Sequence, residues 1–113
     1  SAGLRALSGG SGAGAVSVPM VKPQFEVGRE HVGAGGVVSD PRLRASAVRD
    51  VALRAGRLGW HTRGVTASPL PGPSGNVEYF LWLRRDSTEA PTNALTGADL
   101  DAAINRAVAE GPQ

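Results

Sequence analysis

The sequence predicts an α/β fold in which two parallel strands and one antiparallel strand form a sheet covered by helices. Three observations favour this class. A valine-rich apolar run over residues 15–21 stops at Pro23, a helix signal covers residues 41–58, and two further apolar runs follow over residues 60–67 and 77–84. Short apolar runs bounded by breakers are typical of buried strands. The strand–helix–strand unit is therefore expected to be parallel and right-handed.

The composition narrows the classes of function that the chain can serve. Its 113 residues form at most one domain, and the lack of cysteine excludes disulfide and thiolate chemistry and fits a cytoplasmic protein. No apolar run approaches the roughly 20 residues that span a bilayer, so we predict no membrane partner. The net charge of +2 is compatible with an anionic partner without identifying one. The two histidines show no metal-ligand spacing, and we predict no metal site.

Lys22 ends the first predicted strand, because Pro23 cannot donate to a ladder and favours an extended backbone before it. Polar side chains at the carboxyl ends of strands are where open α/β sheets build their sites. Lys22 is also the only lysine among twelve basic residues. An arginine-rich chain that keeps one lysine there indicates a need for an amine that can lose its proton. A lysine that merely extends its amine from the strand end into solvent explains the same pattern.

The part before the first strand, residues 1–14, is predicted to have no site of its own. Leu4 and Leu7 have helical spacing and predict the last turns of a helix over residues 1–8. The run GGSGAG at residues 9–14 leads into a strand, and no Gly-Lys-Ser/Thr follows it. It therefore lacks the context of a phosphate loop and is interpreted as a flexible connection.

Two helices are indicated by their end signals. Asp40 can cap the first, the proline after it suits the first helical position, and Gly59 ends it. Its arginines lie largely off the apolar stripe, so we interpret them as a solvated face rather than a nucleic-acid contact. They are Arg42, Arg44, Arg49, Arg54 and Arg57. The last part, residues 86–113, is a polar linker followed by a helix that opens at Thr96 or Asp99.

Glu78 is expected to meet Lys22 within the sheet unit of residues 15–85. The connection over residues 68–76 permits a hairpin, so the last strand would run antiparallel beside the first. Its amino end, with Glu78, would then lie at the carboxyl end of the first strand. A plain surface ion pair, contributing about 0–1 kcal/mol, explains this juxtaposition without function. The small hydrogen-bonding residues before Glu78 favour a site, and such turns also occur without one.

Three segments carry a resemblance to a known family. They are VPMVKPQFEVG at residues 18–28, GGVVSDPRLR at residues 35–44 and ASPLPGPSGNVEYFLWLR at residues 67–84. In this order and spacing the chain resembles the TlyA-type ribosomal RNA 2′-O-methyltransferases, often labelled haemolysins. The resemblance covers about residue 18 to the end, and the glycine-rich start matches poorly.

The resemblance implies an S-adenosylmethionine-dependent enzyme with an FtsJ-like, doubly wound, Rossmann-like methyltransferase domain. The family's catalysis is assigned to a Lys-Asp-Lys-Glu tetrad, whose third and fourth members correspond to Lys22 and Glu78. The first two members and the glycine-rich cofactor motif have no counterpart here. The chain is therefore expected to be the carboxyl-terminal half of that sheet, without cofactor-binding residues. We also expect Arg29, Ser74 and Asn76 to contact the substrate, because they lie in connections at the same edge.

The implied partners are ribosomal RNA within ribosomal subunits and the missing amino-terminal half of the same enzyme. On its own the chain is expected neither to bind S-adenosylmethionine nor to turn over. The alternative, from a different class, is a non-catalytic module of the same fold. Such a module would bind RNA or a protein through an exposed sheet edge.

Overall fold

The computed structural model describes residues 14–72, 74–85 and 93–112, together with the backbone of residues 7 and 8. Within these residues two 3-10 turns, Arg29–His31 and Ala34–Gly36, lie in one connection of the fold. The strands and helices follow in the order β1 (Leu7–Ser8), β2 (Ala15–Ser17), β3 (Met20–Val21), α1 (Pro23–Glu26), α2 (Pro41–Arg57), β4 (His61–Ala67), β5 (Tyr79–Arg85) and α3 (Gly97–Glu110).

Strand β5 lies at the centre of the sheet. On one side it pairs antiparallel with β2 and β3 in a single unbroken register, from Ala15 opposite Arg85 to Val21 opposite Tyr79. The two short strands are one strand interrupted at Pro19, which has no N–H to donate but whose carbonyl accepts from Leu81 N at 3.1 Å. On the other side β5 pairs antiparallel with β4, and β1 pairs antiparallel with β2.

The mixed α/β class is confirmed, but no two of the described strands pair in parallel, so the doubly wound parallel arrangement is not confirmed. Strands β3 and β4 run in the same direction, because each is antiparallel to β5, but β5 lies between them. Every pairing among the described residues is therefore antiparallel. The reason is that β5 is the most apolar strand, with Tyr79, Leu81 and Leu83 fully buried, so a central position buries it best.

The chain before β2 corrects a second prediction. Residues 1–6 and 9–13 lie outside the described residues, but Leu7–Ser8 forms strand β1 where the end of a helix was expected. Backbone pairing with the free edge of β2 satisfies groups that a helix end would leave open, and two apolar residues at helical spacing are a weak helix signal. The polar linker predicted after β5 falls largely on residues 86–92, outside the described residues.

Helix α2 begins and ends as the sequence predicts. The Asp40 side chain accepts from Arg42 N at 2.8 Å, and Pro41 occupies the first helical position. At the other end Gly59 has a φ of +88°, and Trp60 N donates to Ala55 O at 3.0 Å. A glycine tolerates this left-handed conformation without strain, so it closes the helix.

Helices α2 and α3 cover one face of the sheet. The core between them and the sheet is built mainly from buried side chains of α2, α3, β3 and β5, with the partly buried Val65 and Ala67 of β4 packed against it. On the opposite face Val18, Met20 and Trp82 are 50%, 41% and 45% exposed. Helices were expected on both faces, and no described element covers this one. We call the surface formed by Val18, Met20 and Trp82 the open sheet face. None of the described helices is long and apolar enough to cross a membrane.

Candidate active site

Lys22 and Glu78 meet at one edge of the sheet, as the sequence predicts. The Lys22 Nζ lies 4.0 Å from the Glu78 Oε2, and the two side chains are 42% and 9% exposed. Lys22 directly follows β3 with an extended backbone, because Pro23 starts helix α1 immediately after it. Glu78 directly precedes β5, which begins at Tyr79, two residues after the predicted strand start at residue 77. An exposed amine thus faces a buried carboxylate.

The Glu78 carboxylate is held by packing more than by hydrogen bonds. Its Oε2 is buried and accepts no hydrogen bond within the described part of the chain. The backbone of Gly72 lies against it, so that a Cβ at this position would be 2.6 Å from Oε2. The Glu78 carbonyl accepts from Ser68 N at 2.8 Å, which fixes the backbone that carries the side chain. The carboxylate is therefore confined to a direction that includes Lys22.

Asn76 joins two connections that are distant in the sequence. It is 1% exposed, its Oδ1 accepts from Val38 N at 2.8 Å, and its Nδ2 donates to Gly36 O at 2.7 Å. Its own carbonyl accepts from Gly72 N at 2.8 Å. Asn76 was predicted to contact the substrate, but its amide is engaged by the protein. A substrate contact by Asn76 stays a prediction.

The other two predicted substrate contacts lie on the surface. Arg29 begins the exposed 3-10 turn Arg29–His31, which His31 N and Gly28 O close at 2.9 Å. Ser74 is exposed in the turn where Gly75 N donates to Gly72 O at 2.9 Å. Both residues are accessible to a macromolecular substrate. Their contact with one stays a prediction.

Arg44 is a residue that the sequence interpretation placed wrongly. It was assigned to the solvated face of α2, but it is 4% exposed and its Nε donates to Val38 O at 3.0 Å. A signal was present, since Arg44 lies three and four residues before Ala47 and Val48, which are fully buried. The sequence therefore indicates that Arg44 lies on the buried side of the helix, but it does not indicate that Val38 O is its hydrogen-bond partner.

Tyr79 lies next to this buried arginine. Burial raises the pKa of the Tyr79 phenol, and the neighbouring Arg44 guanidinium opposes only part of that rise. The hydroxyl oxygen is buried and has no hydrogen-bond partner among the described residues. The segment from Asn76 to Tyr79 thus carries three buried polar side chains, including Glu78, at the beginning of β5.

Comparison with known proteins decides the family. The model of the FtsJ-like methyltransferases matches residues 8–85. The chain belongs to the FtsJ-like methyltransferase family. It is 59% identical over 109 residues to a 16S/23S rRNA (cytidine-2′-O)-methyltransferase TlyA of Mycobacterium tuberculosis, covering 96% of this chain and 39% of the relative. The resemblance to TlyA-type proteins predicted from the sequence is confirmed.

The chain is also similar to more distant proteins, over part of its length. A putative rRNA methyltransferase YqxC of Bacillus subtilis is 39% identical over 70 residues, which is 62% of this chain and 25% of the relative. Among solved structures, a putative hemolysin from Streptococcus thermophilus superposes with a TM-score of 0.70 at 28% identity, over 87% of this chain and 34% of its own. The chain therefore spans about two fifths or less of the length of these relatives.

Proposed function

We propose that the chain is the part of a TlyA-type, S-adenosylmethionine-dependent rRNA (cytidine) 2′-O-methyltransferase that supplies Lys22 and Glu78 to catalysis. The observation that supports this is the meeting of these two side chains, 4.0 Å apart, at one sheet edge of an FtsJ-like protein. The close relative's name states its activity on rRNA cytidine. We extend that activity to this chain as a proposal. Ribosomal RNA as the partner implies a cytoplasmic site of action.

The chemistry fits the exposure of the two residues. A ribose 2′-hydroxyl is a weak nucleophile, so an amine that orients it and accepts its proton contributes roughly 10²–10⁴-fold to the rate. Lys22 has the accessible amine for this role, and the buried Glu78 carboxylate restricts where that amine lies. Arg29 and Ser74 are exposed in the neighbouring connections and are proposed as contacts to the RNA.

We propose that the described residues do not by themselves make a site for S-adenosylmethionine. In the glycine-rich segment at residues 33–36, the Gly33 and Gly36 N–H groups donate to Val37 O and Gly33 O, and Gly36 O accepts from Asn76, so these groups already have partners within the protein. The methyl donor is therefore proposed to be held by parts of the enzyme that this chain does not contain. Calorimetry that detects micromolar binding of S-adenosylmethionine to the isolated chain would overturn this assignment.

The open sheet face supports the proposal that the chain is part of a larger domain. Val18, Met20 and Trp82 form an exposed apolar surface, and the mycobacterial relative is more than twice as long as this chain. Exposed apolar patches of this kind mark surfaces that pack against another element. We propose that the remaining half of the methyltransferase domain packs on this face.

One observation favours the alternative, a binding module without catalysis. Trp82 on the open sheet face has the Arg63 guanidinium 4.7 Å from its ring centroid, so a cation and an aromatic ring lie together on this face. A module of this kind would keep its partner when Lys22 and Glu78 are replaced. The methyltransferase would lose turnover.

A graft separates the two functions. The matched 109-residue segment of the mycobacterial relative is replaced by this chain, and transfer of a labelled methyl group to rRNA is measured. We expect the graft to be active and Lys22→Ala to lose roughly 10²–10⁴-fold in rate. Lys22→Arg, which keeps the charge but cannot give up the proton, should fail as well. The matched control is Arg57→Ala, at an exposed position of α2. Wild-type turnover by Lys22→Ala would disprove the assignment.

A further inference from the structure

We propose that Asn76 and Arg44 are positioning residues that hold residues 33–38 in place. They thereby fix the exposed turn that carries Arg29, in the connection that follows Lys22 and helix α1. The substrate side of this inference rests on the proposed function. The mechanical side, a loop held by two buried polar side chains, stands on contacts within the chain.

Val38 is the point that both side chains hold. Its N–H donates to Asn76 Oδ1 at 2.8 Å, and its carbonyl accepts from Arg44 Nε at 3.0 Å. Val38 as a whole residue is 1% exposed, so its N–H and its carbonyl would both be buried without a hydrogen-bond partner if these side chains were removed. Arg44 of helix α2 and Asn76, two residues before Glu78, therefore fix the backbone on both sides of Val38.

A chain of hydrogen bonds connects Asn76 to the glycine-rich segment that precedes Val38 and follows Arg29. Asn76 Nδ2 donates to Gly36 O at 2.7 Å, Gly36 N donates to Gly33 O at 3.1 Å, and Gly33 N donates to Val37 O at 2.9 Å. Glycines at residues 35 and 36 have φ values of +73° and +77°, which closes the segment on itself. The turn Arg29–His31 is joined to this closed segment through Val32, whose N–H donates to Arg29 O at 3.1 Å, so we infer that the segment positions the turn.

Burying the charged Arg44 side chain costs desolvation free energy that an apolar side chain would not. This cost suggests that the guanidinium is present for the hydrogen bond it donates. Among the described residues no carboxylate lies within ion-pairing distance of its guanidinium. An apolar side chain of similar volume would avoid the desolvation of a buried charge. A guanidinium gives what an apolar side chain cannot, a fixed hydrogen-bond donor to the Val38 carbonyl.

The first test uses the isolated 113-residue chain without RNA or cofactor. The variants are Asn76→Ala and Arg44→Met, with Asn105→Ala and Arg57→Met as exposed controls. We expect hydrogen exchange of the Val38 amide and tryptic cleavage after Arg29 to accelerate roughly tenfold or more, as for the loss of one buried hydrogen bond. Amides of β5, such as that of Leu83, should keep their protection.

Two results would overturn the loop-holding role. Unchanged exchange at Val38 in both variants would show that the contacts do not hold the loop. Equal acceleration at Val38 and in β5 would show a loss of global stability instead. In the latter case Arg44→Lys decides, because a lysine amine keeps a donor near Val38 O and should restore part of the loop protection while the control amides stay unchanged.

The second test uses the graft described above and separates positioning from catalysis. Asn76→Ala and Arg44→Met should raise the KM for rRNA about tenfold with a smaller loss of kcat, because the substrate-side turn is no longer pre-ordered. An equal loss of kcat with unchanged KM would overturn the substrate role of the loop. An inactive parent graft would contradict the proposed function alone, and the exchange data would still decide the loop-holding role.

Discussion

The Glu78 carboxylate lies so close to the backbone of Gly72 that this position has no room for a side chain. A Cβ there would be 2.6 Å from Oε2 and 2.9 Å from Cδ of Glu78. Real Cβ atoms do not approach other atoms this closely, so any side chain at residue 72 must move the carboxylate. The glycine is thus part of what aims Glu78 at Lys22.

Gly72→Ala is therefore expected to disturb the site more than the fold. The displaced carboxylate no longer restrains Lys22, and misplacement by about 1 Å can lower the rate by up to 10²-fold. The measurement is methyl transfer by the graft, together with its thermal midpoint. Gly56→Ala is the matched control, because a Cβ there meets open space on helix α2. That control should gain about 0.5–1 kcal/mol of stability. Full activity of Gly72→Ala would contradict the role of Glu78.

Glu78→Gln should separate stability from activity. The carboxylate is 9% exposed with an unsatisfied oxygen, and its partner Lys22 is 42% exposed. A pair with one such exposed member contributes about 0–1 kcal/mol, so a neutral side chain of the same shape should leave the unfolding midpoint unchanged or slightly raised. Methyl transfer by the graft should fall. A large loss of stability with full turnover would assign Glu78 a structural role instead.

The helix cap at Asp40 predicts that folding stability falls at acidic pH. Hydrogen bonds from the Arg42 backbone N–H and then from its side chain lower the pKa of Asp40 below its usual value of 3.8. Because the folded-state pKa is lowered, the stability from the ionised cap is present above about pH 4 and is lost as the pH falls through the folded value. Urea midpoints between pH 6 and pH 3 measure this. Asp40→Asn keeps a capping oxygen and should make the urea midpoint depend less on pH in this range. The exposed control Asp50→Asn should leave the pH dependence unchanged.

The buried phenol of Tyr79 predicts a loss of folding stability at alkaline pH. Burial raises its pKa above the usual value of 10.0, so the folded state disfavours the phenolate. Stability is then full below about pH 10 and falls as the pH rises through the folded-state value. Tyr79→Phe should lose little at neutral pH, because the hydroxyl has no hydrogen-bond partner among the described residues. It should resist alkaline unfolding better than the parent. If the parent and Tyr79→Phe lost stability equally as the pH rises, Tyr79 would not be the group responsible for the alkaline loss.

The meeting of Lys22 and Glu78 could be predicted because local signals define each strand end. Pro23 stops the first strand beside the lysine, and an antiparallel return places the beginning of the last strand there. The limits of helix α2 follow in the same way from Asp40 and Gly59. These signals act over a few residues, so one sequence is enough to read them.

The order of the strands and the burial of Arg44 could not be predicted in this way. Strand β5 could pair with either edge of the first strand, and its central place depends on the total burial of Tyr79, Leu81 and Leu83. The Arg44 guanidinium is satisfied by the Val38 carbonyl, and Val38 in turn depends on Asn76, 38 residues further along the chain. Such long-range partners have no signature in local periodicity.

The open sheet face predicts self-association of the isolated chain. The common register of β2 and β3 with β5 places Val18 opposite Trp82, next to Met20 on the same face. Apolar side chains that are 41% to 50% exposed in one cluster favour association with another surface. Light scattering of the isolated chain should show an apparent molecular mass that increases with protein concentration. The double substitution of Met20→Lys and Trp82→Gln should reduce this increase. Leu70→Lys, at a position that is 74% exposed away from the sheet, is the control.

In the graft the same pair of substitutions should act in the opposite sense. If the rest of the methyltransferase domain packs on the open sheet face, a buried lysine at Met20 lacks a partner and lowers the thermal midpoint. Leu70→Lys should leave that midpoint unchanged. Reduced scattering of the isolated chain together with an unaffected graft would mean that the face remains exposed in the complete domain. It would then be a surface for a separate partner, as the binding-module alternative requires.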